Sequence, residues 1–137
     1  MNVQQFHTMI PREEFEQIVL DEIMNIPSRF QERIKNVAFI VEDQVSAETR
    51  KENNLTRGQD LLGLYRGIPL VERGDEYGVG MTLPDVITIY QGPIEESAGG
   101  DVLKIRNVVR ETVFHEVAHY LGMSEHEVQK WELNARI

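Results

Sequence analysis

Apolar residues recur along this chain at helical spacing near both ends and in short runs between. In residues 11–26, PREEFEQIVLDEIMNI, Phe15, Ile18, Val19, Ile23 and Ile26 fall three and four apart, the signature of one buried helical face. Pro11 suits the first helical turn, Glu13 and Glu14 suit its positive end, and Pro27 stops it. Ser28 can cap a shorter helix reaching about Ile34. VAFIVE at 37–42 is a compact apolar run with β-branched residues and predicts a buried strand. The polar stretch 43–60 predicts a loop. LLGLY at 61–65 predicts a second strand, followed by a turn at Gly67-Ile68-Pro69. VITIYQ at 86–91 predicts a third, ending at Gly92-Pro93.

From Asp101 the period changes back to that of a helix. Val102, Ile105, Val109, Thr112, Val113, Val117 and Tyr120 lie along its expected inner side, and Gly122 ends it. Ser124-Glu125-His126-Glu127 is a capping-box pattern that opens a last helix, with Val128 and Trp131 expected to dock on the core. Helices and strands mix without regular alternation, so the expected class is α+β, a small sheet packed against helices. At 137 residues, one domain spanning 1–137 is expected.

Composition narrows the function classes. An apolar fraction of 41% and a charged fraction of 27% are those of an ordinary soluble protein. No apolar run approaches the roughly 20 residues of a membrane span. The start, MNVQQFHTMIPREEF, lacks the basic and apolar regions of a secretory signal. There is no cysteine, hence no disulfide and no thiolate metal site, and a cytoplasmic address is expected. A formal charge of −9 repels phosphate backbones, so neither nucleic acid nor a membrane is an expected partner. Gly74, Gly78 and Gly80 fit neither dinucleotide nor P-loop spacing and receive no phosphate role.

The chemistry concentrates in HEVAHYLGMSEH, residues 115–126, which holds three of the four histidines. On a helix, His119 lies about 40° around from His115 and one turn along, so both imidazoles can reach one ion. Glu116 lies about 60° from His119, on the flank of that stripe, where a general base belongs rather than a ligand. A zinc ion there would lower the pKa of a bound water and polarise a substrate carbonyl. The bland alternative is an amphipathic helix with two half-exposed histidines and a solvated glutamate.

A third ligand cannot come from the same straight helix, because ten residues on lie about 15 Å up the axis. Gly122 lets the chain turn back, and Glu125 then stands ten residues past His115. HExxHxxGxxE has the layout of zincins whose third ligand follows the glycine. Glu125 is the favoured third ligand; His126 would complete a three-histidine site if the turn were wider, and Glu132 is a more remote candidate. No methionine follows the proposed third ligand, so the methionine turn of metzincins is absent. For an oxyanion-stabilising group, Tyr65, Tyr77, Tyr90 and His7 are candidates among which the sequence does not choose.

Several stretches together resemble the small bacterial zincin-like metallopeptidase family, the minimal zincins. They are REEFEQIV, VAFIVED, LLGLYRGIPLVER, YG…LPDVITIYQGPIE and ETVFHEVAHYLGMSEHEV, in family order and across nearly the whole chain. The resemblance implies a compact zincin-like domain with zinc held by His115, His119 and Glu125, and Glu116 as catalytic base. Glu125 is one methylene longer than the aspartate common at that position.

Three functions compete. The first is a zinc peptidase hydrolysing peptides or an extended protein segment laid along an exposed strand. The second is a metal-dependent ribonuclease of the rRNA-maturation type, against which stand Glu116, the late position of His126 and the acidic charge. The third is a non-catalytic zincin-fold protein that binds metal or a partner.

Overall fold

The computed structural model describes residues 10–67, 84–124 and 126–130. The elements in order are α1 (Arg12–Met24), α2 (Ser28–Gln31), β1 (Val37–Glu42), α3 (Ala47–Glu52), β2 (Gly63–Arg66), β3 (Asp85–Tyr90), α4 (Gln91–Ser97) and α5 (Val102–Tyr120). Residues 126–130 are helical as well. The sheet order is β1-β3-β2, with β1 parallel and β2 antiparallel to β3.

Register explains how the sheet holds α5. Gly63 pairs with Ile89 and Tyr65 with Ile87, while Val41 and Phe39 pair with the same two isoleucines from the other side. Alternate residues share a face, so all six line one side of the sheet. Ile87 and Ile89 are fully buried there, with Ile105, Val109, Val113 and Val117 of α5 and Phe15, Ile18 and Val19 of α1 in the same core. The opposite face carries Glu42, Arg66 and Tyr90 and is approached by α3, whose Thr49 hydrogen-bonds Arg66 and Tyr90. The result is an α+β fold, a three-stranded mixed sheet with helices. No described helix is long and apolar enough to cross a membrane.

The helical stripe of α1 is as expected from Phe15 to Ile23, while Ile26 is buried beyond the helix end at Met24, and one polar residue intrudes. Glu22 sits on the buried side at 0% exposure, held by Arg110 Nε at 2.9 Å and Arg106 NH1 at 3.1 Å. Two guanidinium groups from α5 thus satisfy a carboxylate on α1, which locks the angle between the two helices.

Several expectations are corrected. Ser28 is the first residue of α2 and makes no capping hydrogen bond, and that helix ends at Gln31 rather than near Ile34. β1 is half-buried rather than buried, with Ile40 exposed. The stretch 43–60 is not all loop: α3 forms where the Ser46 side chain accepts from Thr49 N at 3.1 Å, a helix cap without an apolar stripe. β3 does not run out into a turn at Gly92-Pro93; it leads into α4, whose first turn contains both residues. Proline fits there because first-turn N–H groups have no helical acceptor. Val102, finally, is 50% exposed rather than facing inward, since it lies at the first position of α5 ahead of the buried stripe. Trp131 lies outside the described residues, whereas Val128 is fully buried as expected.

Candidate metal centre

The site is built on α5, and local residues set both ends of that helix. Asp101 Oδ1 accepts from Leu103 N at 2.9 Å and Lys104 N at 3.4 Å, capping the start. At the other end Gly122 takes φ +79°, Gly122 N donates to His119 O at 3.0 Å and Met123 N donates to Ala118 O at 3.0 Å. These two bonds are a Schellman closure, which needs a residue tolerant of the left-handed region at Gly122. Past it, Glu127 N donates to Ser124 Oγ at 3.1 Å and Ser124 N donates to Glu127 Oε1 at 3.0 Å. The Ser124 backbone N–H, and after it the Ser124 side chain, hold the Glu127 carboxyl below its ordinary pKa by hydrogen bonding. The reciprocal pair opens the helical residues 126–130, so the chain does turn back after the glycine.

Val113, Val117 and Ala118 are fully buried and anchor the helix, leaving His115 and His119 half-buried on its outer side. Their ring centres are 4.6 Å apart at an interplanar angle of 66°. Glu116 is buried by contrast, at 7% exposure, and its Oε1 lies 3.6 Å from His119 Nδ1. One donor atom from each of His115, Glu116 and His119 falls within 4.8 Å of the others. Two imidazole nitrogens beside a carboxylate are the donors zinc takes, so the residues fit such an ion.

Of the other predicted residues, Glu125, Glu132, Tyr77 and His7 lie outside the described residues. His126 is exposed on the helical stretch 126–130 and is not one of the three residues brought together. Tyr65 and Tyr90 are committed elsewhere. The Tyr65 hydroxyl donates to Asp85 Oδ2 at 2.7 Å, and Tyr90 is buried on the sheet face opposite α5 with Thr49 as partner.

A cavity of about 320 Å³ adjoins the cluster, lined by Asp60, Leu61, Leu62, Gly63, Glu111, Thr112, His115 and Glu116. Sequence reasoning did not find its first six residues. Glu111 and Thr112 stand four and three residues before His115, so helical spacing alone could have put them on the same side. Nothing local to residues 60–63 signals that β2 begins over α5.

A model of the zincin-like metallopeptidases matches residues 34–135. The chain belongs to that family. Among solved structures it is similar to a conserved hypothetical protein from Thermo thermophilus, at 24% identity and a TM-score of 0.54, over 93% of this chain and 100% of that one. That likeness is one of fold. No curated protein shows a match to this chain.

Proposed function

We propose that this zincin-like protein is a zinc-dependent metallopeptidase, with His115, His119 and Glu125 as ligands and Glu116 as general base. The observation that carries the reading is the convergence of His115, Glu116 and His119 within 4.8 Å, beside a cavity that His115 and Glu116 line. A bound zinc supplies there a lowered pKa for water and a Lewis acid for the scissile carbonyl. The chain's own contribution is positional. The buried wall of α5 fixes both imidazoles, and Glu116, whose Oε1 lies 3.6 Å from His119 Nδ1, is close enough to take a proton from a water at the site and pass it to a leaving amine. The half-burial of the histidines leaves their outer side open to a substrate, while the burial of Glu116 keeps its carboxylate from swinging into solvent.

Substrates are peptides or an extended protein segment. β2 is at the sheet edge among the described residues and borders the cavity through Gly63, so a strand-like segment laid beside it reaches the cluster. A cytoplasmic address, drawn from a chain without cysteine, goes with this reading.

A non-catalytic zincin-fold binding protein is the alternative, and the engagement of Tyr65 and Tyr90 away from the site favours it. Stripping the protein with chelator, reloading it with zinc and assaying a mixed peptide library separates the two. Hydrolysis that disappears with the metal and returns with it supports the peptidase; stoichiometric zinc without any cleavage supports the alternative.

A further inference from the structure

We propose that the outer edge of β1 is an interface between two copies of this chain. The copies pair β1 with β1 antiparallel about a two-fold axis at Phe39, which joins their sheets into one. The inference is independent of the peptidase reading.

Among the described residues, β1 stands at the sheet edge opposite β2. Asp85 N donates to Asn36 O at 3.0 Å, which sets the phase of the parallel ladder. Residues 38, 40 and 42 then turn their peptide groups to β3, and Val37, Phe39 and Val41 turn theirs outward. Arg12 NH1 meets one of these outward groups, Val41 O, at 3.1 Å. Edge strands are commonly blunted by a charge, a proline or a bulge. VAFIV at 37–41 has none of these: all five residues are apolar and the register runs unbroken. Beside the edge lies a groove of about 420 Å³ between Val19, Leu20 and Ile23 of α1 and Phe39, Ile40 and Val41 of β1, with Glu16 also lining it. Leu20 is 51% exposed, Ile40 41% and Met24, one helical turn past Leu20, 71%.

The ends of β1 choose the occupant. Exposed Arg33 and Lys35 precede the strand, and exposed Glu42 and Asp43 close it. An antiparallel copy sets the basic end of each strand against the acidic end of the other, twice over by symmetry, whereas a parallel copy sets like against like. An axis at Phe39 also matches the outward residues, Phe39 with its own counterpart and Val37 with the partner's Val41. The second lone pair of Val41 O serves that pairing beside the Arg12 bond. Side chains at 37, 39 and 41 share the core face, so both α1 helices flank the axis on one side of the joined sheet. Leu20, Ile23 and Met24 of the two copies then close the groove. β2 and the cavity beside His115 stay at the far edges, open to substrate.

Sedimentation equilibrium of the full chain, from about 1 μM to about 1 mM, reads the mass and the dissociation constant. The wild type should reach twice its 15.8 kDa. Leu20→Glu, at an exposed position, should weaken the dimer about tenfold or more. Lys35→Glu and Glu42→Lys should each weaken it about fivefold, since each sets like charges together at both ends of the pairing. An equimolar mixture of those two variants should recover wild-type association, because contacts between the unlike chains are again of opposite charge. A gain of this kind cannot come from misfolding. A monomer across the whole range overturns the proposal and leaves the edge to residues 1–9 of the chain or to a strand of another protein. A dimer unmoved by Leu20→Glu, or charge variants that do not recover on mixing, overturns it as well.

Discussion

Gly63 on β2 lies directly against Glu116 on α5. A Cβ built at Gly63 would stand 3.1 Å from Glu116 Cγ and 2.7 Å from Thr112 Cγ2. The strand thus presses on the side chain of Glu116 at Cγ, next to the carboxylate proposed as the base. Tyr65, two residues along, meets Tyr120 edge-on with ring centres 6.0 Å apart, so β2 follows α5 along its length.

Gly63→Ala should therefore disturb the site as well as the fold. Thr112 has little room to yield, because its hydroxyl donates to Val108 O at 2.7 Å. Forcing one methyl into such a contact costs about 1–3 kcal/mol, or about 4 °C in Tm for each kcal/mol. Moving Glu116 should lower hydrolysis at least about tenfold beyond what lost stability explains. A variant with wild-type kcat would show that the contact does not position Glu116.

Glu22 should matter more to stability than either of its partners. Its side chain is 1% exposed, while those of Arg106 and Arg110 are 38% and 39% exposed. Glu22→Ala leaves two arginines that can turn to water, so the loss should be about 2–3 kcal/mol, below that of a fully enclosed pair. Arg106→Ala and Arg110→Ala should each lose about 1 kcal/mol, since the other arginine stays. Urea unfolding of the three variants measures the order.

These features differ in how far the sequence announced them. The stripe of α5 from Ile105 onward, the Gly122 closure and the Ser124–Glu127 box are local patterns of a few residues, and all three form as local rules require. The cluster of His115, Glu116 and His119 follows from helix spacing alone. α3 has one buried residue, Thr49, and so no apolar period to detect; its signal was the Ser46 cap. Glu22 reads as a solvated charge until Arg106 and Arg110, more than 80 residues away, are brought to it. The contact of Gly63 with α5 and the cavity beside it depend on strand pairing and packing between segments distant in the chain, which no local window contains.

Tyr90 should give the protein an alkaline limit. Burial raises its pKa above the ordinary value of about 10, the Glu42 carboxylate adds to the rise, and Arg66 and Thr49 oppose it. A folded pKa above the unfolded one means the stabilisation is intact below about pH 10 and is lost as pH climbs through the folded value. Absorbance titration of the tyrosines should show a late-ionising component that Tyr90→Phe removes. Loss of stability above about pH 10 should shrink in the same variant; an unchanged titration curve would contradict the assignment.

Zinc binding should separate the proposed ligands from their neighbours. His115→Ala and His119→Ala should each weaken zinc by more than the roughly 100-fold expected for losing a supporting partner of a ligand. Glu125→Ala should weaken it too, and His126→Ala should not. Competition against a chromogenic chelator measures all four. Weakening by His126→Ala with none from Glu125→Ala would exchange the two assignments.

The role of Glu116 is open to a single paired comparison. Wild type and Glu116→Gln are loaded with zinc, their metal content is measured, and both are assayed on the same peptide. Equal zinc, near one ion per chain, with hydrolysis reduced by about 100-fold to 10,000-fold in the variant is the expected result. Hydrolysis that survives in Glu116→Gln at full zinc occupancy would contradict the assignment of Glu116 as the base.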